Sequence, residues 1–413
     1  MSLSRWWRLL LREVIRRPFP HGVLHPRFLL PGQSRQVGIH RTLWRMGRPR
    51  SIPVLVWWPL ELLLWLRWAL WSGWGPLWRT VRRLGPVVAE AEGIPVWRQG
   101  LRLARISLLG GIPAAALYPF CLYRADGARR MWDYLYDTET VPFHRWESAP
   151  LGLSRASLDL VQDKAALSEA ARALGVATAG NLGVLPKGGT PDLPPYLDHP
   201  GGIFVKLRSG NRAEDAFALA RQGGRLSIRC LHGKTLEEQA LPDHLRAMAA
   251  KDDLLVQPLL TTHPDLQTAC AIDDVATLRL ITRRVGEEVV SAWAMVELAV
   301  ERSEEGHPLY VILALAEDGR IKRFPEAVPL PAEARARIAK VEALLSGQIL
   351  PGWTAMRQGS LLLHQRLLPD LATIAWDWAL TPQGGRLLEG NFGWGMQLPQ
   401  TIHGGLLRDG RDG

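Results

Sequence analysis

The residue types best suited to chemistry gather near the C-terminal end, in Trp376-Asp-Trp-Ala-Leu-Thr-Pro-Gln-Gly-Gly-Arg-Leu-Leu-Glu-Gly-Asn391. The run reads as two strands around a Thr-Pro-Gln-Gly-Gly turn. A hairpin symmetric about Gln383 sets Asp377 opposite Glu389, and the two-residue period puts Asn391 on the face of Glu389. Three oxygen donors then converge. Such a set suits Mg²⁺, which keeps several waters and is shared with nucleotide phosphates rather than caged by protein. A solvated hairpin with acids on its outer face would carry the same residues.

Lysine is scarce: the chain has seven, against 43 arginines. Lys206, which follows the apolar Ile203-Phe-Val, therefore calls for a reason. Just beyond it lies Arg208-Ser-Gly-Asn-Arg212, a polar loop able to offer backbone N–H groups to phosphate. A lysine ammonium is a compact point charge suited to phosphate oxygens; the bland alternative is a lysine snorkelling from an edge strand. Other chemistries find less support. The eleven histidines form no HExxH pair, and no GxGxxG string or nucleophile elbow is present. The three cysteines, Cys121, Cys230 and Cys270, lack paired spacing, which argues against a disulfide framework or zinc ribbon and for a reducing compartment.

These residues need strands and helices to hold them, and the pattern from about residue 151 supplies both, as an α+β module. Residues 163–174 predict a helix ending at Gly175. Strands are predicted over 202–206, 254–257, 276–282 and 289–300, and an amphipathic helix over 332–346. Segments 187–200 and 301–308 read as loops, the acids from Glu301 to Glu305 as a solvated face.

Taken in order, Asp163-Lys164, Phe204-Val-Lys206, Leu255-Val-Gln-Pro-Leu-Leu-Thr-Thr-His-Pro264, Thr277-Leu-Arg-Leu-Ile-Thr282, Trp376-Asp377, Leu388-Glu-Gly-Asn391 and Gln400 resemble the ATP-grasp superfamily, and more closely its sugar-transfer-associated, alpha-L-glutamate-ligase-related branch. The resemblance covers roughly residues 155–405. It implies two α+β subdomains clasping ATP, with Lys164 and Lys206 on the nucleotide phosphates. Gln257 and Leu259 would lie in the hinge that meets adenine and ribose. Arg279 would stabilise the transferring γ-phosphate or the acyl-phosphate that follows, and Asp377, Glu389 and Asn391 would be the Mg²⁺ ligands. The implied activity is a carboxylate ligase that forms an acyl-phosphate and passes the acyl group to an amine or hydroxyl acceptor. Alternatives are a non-catalytic ATP-binding membrane scaffold and a kinase-type phosphotransferase. The chain departs from the pattern after Lys206, where one glycine remains within residues 206–215, and after the Arg279 strand, where Glu301-Arg-Ser-Glu-Glu-Gly306 stands.

The net charge of +10 is unevenly placed. Residues 1–110 hold 18 arginines, no lysine and four acids, which leaves the remainder slightly negative, and they hold 11 of the 18 tryptophans. Arg with Trp at that density suits a lipid headgroup layer; nucleic acid, the other anionic partner, finds no binding motif here. Residues 3–17 set Arg5, Arg8, Arg12 and Arg16 on one helical face. Residues 54–72 form an apolar run, interrupted by Glu61 and Arg67 and broken early by Pro59, that reads as lying in one leaflet, with a buried helix or a true span as alternatives. The stretch from Ile106 to Cys121 holds two glycines and two prolines and predicts no clear helix. The expected organisation is a mainly helical membrane-associating region 1–125, with the surface contact in 1–78, then the module 126–405 and a flexible tail 406–413. The expected location is cytoplasmic, peripheral on the inner face of a membrane.

Overall fold

The computed structural model describes residues 8, 23–48, 53–189, 193–209, 216–222, 225–230, 236–270, 272, 274–304 and 306–408. Apart from Arg8, the predicted basic helix at 3–17 lies outside them, as do most of the loop 208–215 and the end of the C-terminal tail. Two compact units divide at Glu147/Ser148, and the first also takes in Pro325–Arg335 and Gly395–Gly413. The expected boundary near 125 falls inside the first unit.

That first unit is helical, with α1 (Arg35–Met46), α2 (Val54–Arg67), α3 (Trp74–Glu92) and α4 (Val96–Gly110) around one apolar core. Contrary to the sequence reading, α2 runs through Pro59 unbroken. Pro59 lies in its second turn, where the missing N–H removes only the bond to Leu55's carbonyl. A π-turn, Trp68–Ser72, extends α2. Together they are, among the described residues, the one helical run long and apolar enough to cross a membrane, and 28% of that run is buried. The chain from Ile106 to Gly110 is helical after all, closing α4; Gly111 at φ 64° ends it. The last carbonyls of a helix lack intrahelical partners, and here the Trp65 indole meets one, its Nε1 donating to Leu109 O at 3.1 Å, while Trp68 Nε1 adds a bond at 2.9 Å to Ser107 O, which already accepts from the Gly111 and Ile112 N–H groups.

The second unit is the α+β body. Its first sheet joins β1 (Gly183–Leu185), β2 (Ile203–Leu207), β3 (Phe217–Gln222), β4 (Arg225–Cys230) and β5 (Leu254–Pro258) in the order β1-β5-β2-β3-β4. The second joins β6 (Thr277–Val285), β7 (Glu288–Arg302), β8 (Pro308–Ala314), β9 (Thr373–Thr381) and β10 (Gly384–Asn391) in the order β10-β9-β6-β7-β8. All pairings are antiparallel. Residues 301–302, expected in a loop, close β7: Glu301 pairs with Leu309 and binds Arg337 at 2.8 Å.

Ahead of these sheets α5 (Lys164–Ala173) starts where predicted, because the Asp163 carboxylate accepts from the N–H groups of Ala165 and Ala166. The helix α6 (Trp353–Leu367) contributes Trp353, Met356 and Leu363 to the core of the second sheet. His364 on α6 is fully buried; its Nδ1 accepts from the Thr282 hydroxyl at 2.8 Å and its Nε2–H donates to Leu371 O at 2.8 Å. Trp376 Nε1 donates to the same Thr282 Oγ1 at 2.9 Å, so the network locks β9 to β6. Burial holds the His364 imidazole down to about 4. The unfolded chain thus takes up this proton first. Stability from the neutral ring is full above about pH 6.5 and is lost as pH falls towards 4, by about 2–3 kcal/mol between pH 7.5 and 4.5. Urea unfolding at the two pH values should show that loss, and His364→Gln should flatten it; an unchanged slope in the variant would sink the assignment.

Candidate functional site

Alternation along β9 sends Ile374, Trp376, Trp378 and Leu380 into the core and leaves Ala375, Asp377 and Ala379 on the opposite face. The two alanines leave room around Asp377. Register places Asp377 opposite Arg279 on β6 and opposite Glu389 on β10. On β7, Glu297 lies two residues beyond Met295, the partner of Arg279, and so shares that face. A polar row therefore crosses four adjacent strands.

The Asp377–Glu389 pairing is the one expected, but it arises differently. The turn holds two residues, Pro382 and Gln383, between paired Thr381 and Gly384, and a bulge between Leu387 and Glu389 restores the register. Gly390 lies opposite Trp376, where a Cβ would come within 3.0 Å of the indole ring. Glycine between Glu389 and Asn391 is what lets both polar side chains face away from that core.

Arg279 grips Asp377 with two parallel bonds, Nε to Oδ1 at 2.8 Å and Nη2 to Oδ2 at 2.9 Å. Its Nη1 stands 3.9 Å from Glu297 Oε1. Asn391 Nδ2 donates to Asp377 Oδ2 at 2.9 Å and to Glu389 Oε1 at 3.3 Å, and Lys164 Nζ lies 3.5 Å from Glu389 Oε2. Burial pushes the Asp377 carboxyl up against the pull of Arg279, with Glu389 adding to the rise. Glu297 is likewise raised by burial, opposed by Arg279. The neighbouring carboxylate of Asp377 holds the Arg279 guanidinium firmly protonated.

Lys206 belongs to the same group. On β2, Ile203 and Val205 enter the first sheet's core, so Phe204 and Lys206 take the other face. Lys206 is buried, and desolvation lowers its ammonium to about 8; Glu389 and Asp377 oppose the shift, and Lys164 adds to it. Lys164, Lys206, Arg279, Asp377, Glu389 and Asn391 are thus brought together.

Gln257 and Leu259 stand differently. Gln257 pairs with Phe204, on the face of the sheet that Lys206 shares, but its Nε2 donates to Gly180 O at 3.0 Å and Asn181 Oδ1 at 2.9 Å. Leu259's N–H donates to Gly202 O at 3.0 Å. The loop read as a phosphate cradle is also engaged where it is described. Arg208 binds Asp163 through Nε and Nη2 at 2.9 and 2.6 Å and Asp253 through Nη1 at 3.1 Å, while Ser209's N–H donates to Asp252 at 2.7 Å.

Glu297 is the site residue that sequence reasoning missed. Its only signal is an acid in the otherwise apolar Ala-Met-Val-Glu-Leu-Ala-Val run. Among the described residues no three His, Cys, Asp or Glu side chains gather to hold a metal ion. The donor set is two carboxylates and an amide, which fits a hard cation that draws its other ligands from water and phosphate. Asn391 now points its NH₂ between the carboxylates, so ligation by its carbonyl requires the amide to turn over.

No protein-family model matches the chain, and no curated protein matches its sequence. Solved structures similar to it include the ATP-grasp ligase PsnB complexed with minimal precursor, at 13% identity and TM-score 0.33 over 64% of this chain and 62% of that one. D-alanine-D-alanine ligase from Helicobacter pylori is similar at 14% identity and TM-score 0.33 over 59% and 57%. D-cycloserine synthetase DcsG is similar at 14% and 0.35 over 62% and 68%. The chain spans less than two thirds of the length of the first two. At such identities and scores the likenesses assign nothing to its residues.

Proposed function

We propose that this chain is an ATP-dependent carboxylate ligase of the ATP-grasp kind. It phosphorylates a carboxylate and passes the acyl group of the acyl-phosphate to an amine or hydroxyl acceptor. The observation that supports this reading is the meeting of two lysines, an arginine, two carboxylates and an amide at one place in the second unit. Bringing an anionic carboxylate to an anionic triphosphate needs positive charge fixed in advance where negative charge grows. Lys164 and Lys206 offer ammonium groups to phosphate oxygens. Arg279, oriented by the two bonds it donates to Asp377, offers its remaining Nη1 to the transferring group. Asp377, Glu389 and, once turned, Asn391 would hold Mg²⁺, which supplies neutralisation of the phosphate charge when bound. No side-chain nucleophile is required.

A kinase-type phosphotransferase would use the same groups. A scaffold that binds ATP without turnover is favoured by one observation, the engagement of Ser209's N–H by Asp252 just past Lys206. The reading extends to an acceptor or donor that is lipid- or glycan-linked, met at the cytoplasmic face of a membrane on which residues 1–78 rest. Calorimetric titration of the full chain with ATP should show binding that requires Mg²⁺. Glu389→Ala should weaken it by about 1–3 kcal/mol, the size of a lost charge-assisted contact. A folded protein that binds no Mg-ATP would overturn the reading.

A further inference from the structure

A helix at a water-facing surface normally exposes its charges and buries its leucines. The helix α2 buries its acid and exposes most of its leucines. Its buried stripe is Trp57, Glu61 and Leu64, continued by Trp68 of the π-turn, so its single acid is 0% exposed and accepts from Trp44 Nε1 at 3.2 Å. Its outer side and the π-turn present Leu55, Leu62, Leu63, Leu70 and Trp71, with Leu55 87% and Trp71 82% exposed. The helices that follow expose Trp74, Trp78, Trp97 and Leu101. Arginine accompanies the tryptophans: Arg82 stands 5.9 Å over the Trp78 ring and Arg98 stands 5.4 Å over that of Trp97. On and just past α1, whose Trp44 packs on Trp58 at 4.6 Å, Arg45 and Arg48 join Arg145 in lining a cavity of about 540 Å³, with no acid among its described lining residues.

We infer that this surface of the first unit, from α2 to α4, seats in one leaflet of an anionic phospholipid bilayer, with the arginine-lined cavity receiving a phosphate headgroup. The inference deepens, and rests on, the reading above that a membrane is a partner of this chain, and it carries the contact past residue 78 to Trp97 and Leu101. Hydrocarbon is what an outward row of leucines whose one exposed charge on α2 is Arg67, at the helix end, is suited to. Headgroup depth is where Trp–Arg pairs settle, with the arginine reaching phosphate. Charge complementarity selects the lipid: the first 110 residues carry 18 arginines against four acids. Insertion stops at one leaflet because Arg67 remains exposed on α2, and because Glu61 is held inward by the protein, so the helix keeps one side on its own core rather than on lipid.

The test floats the full chain with vesicles of phosphatidylcholine, alone or with about one third phosphatidylglycerol. Wild type should float with the mixed vesicles and about tenfold less with the neutral ones. The double variant Leu70→Glu, Trp71→Glu, both exposed and so neutral to folding, should lose about tenfold, and Arg45→Gln with Arg48→Gln and Arg145→Gln should lose the preference for phosphatidylglycerol. Tryptophan fluorescence should be quenched more by lipids brominated near the headgroup than by lipids brominated at the chain end. Flotation equal on both vesicles, self-association abolished by the Leu70/Trp71 variant, tighter binding to duplex DNA, or quenching strongest from the chain end would each overturn the inference. Mg-ATP titration of the same preparation keeps the readings apart: failure of wild type to float with ATP binding intact removes the membrane contact and this inference with it and leaves the ligase reading, whereas wild-type flotation that the variants leave unchanged removes this inference alone.

Discussion

A Lys206→Met variant should be more stable than wild type near neutral pH, by about 2–3 kcal/mol, while losing most of its affinity for Mg-ATP. The sign follows from the ammonium's displacement to about 8 from its ordinary 10.5. The unfolded chain binds this proton more tightly than the folded one, so burying the charge costs stability in full below about pH 8. That cost disappears above about 10.5, where neither state holds the proton. Methionine fills a similar volume without the charge. Wild-type affinity for ATP should also fall as pH rises through about 8, because the neutral amine no longer meets the phosphates, and binding near that pH should take up protons from buffer. Denaturant unfolding and calorimetry in two buffers of different ionisation enthalpy read all of this. A variant less stable than wild type, or one that binds ATP equally well, would refute the role assigned to Lys206. A residue kept at a cost to the fold is expected where its chemistry is used.

The second large effect concerns Arg279. Replacing it by alanine leaves Asp377 and Glu297 close together without their guanidinium, and breaking such a pair one-sidedly typically costs about 3–5 kcal/mol. Arg279 keeps 30% of its side-chain surface exposed, so solvent screening brings the expectation to about 2–3 kcal/mol. Asp377→Asn in the Arg279→Ala background should cost less than the two single changes together, because the second removes a charge the first has stranded. A double-mutant cycle by urea denaturation measures the coupling, expected at about 2 kcal/mol; additive effects would show that the 2.8 and 2.9 Å bonds do not hold the row together.

Legibility in the sequence followed distance along the chain. Asp377, Glu389 and Asn391 sit within one hairpin, and a period of two with a turn is enough to bring them to one face. Lys206 declared itself by the rarity of its type, and the start of α5 by the Asp163 cap. Glu297 did not, because the acid's burial depends on β7 pairing with β6 and β8 on either side, and no local pattern distinguishes that from a solvated strand. The strands β1, β3, β4 and β8 were missed as well. Arg208 and Ser209 read as free to meet phosphate, yet their partners Asp252, Asp253 and Asp163 lie about 45 residues away. Pro59 was read by its type alone, while its position in the second turn decided that α2 would survive it.

The bulge at Leu388 has a consequence for how this hairpin can vary. It is one residue of slack between the turn and the acidic pair: without Leu388 the regular ladder that ends at Leu387–Trp378 would continue directly to Glu389–Asp377. The spacing of the two carboxylates is therefore uncoupled from the length of the chain that joins them. Shortening of the connection by one residue can be absorbed there, and the two acids that matter keep their seats.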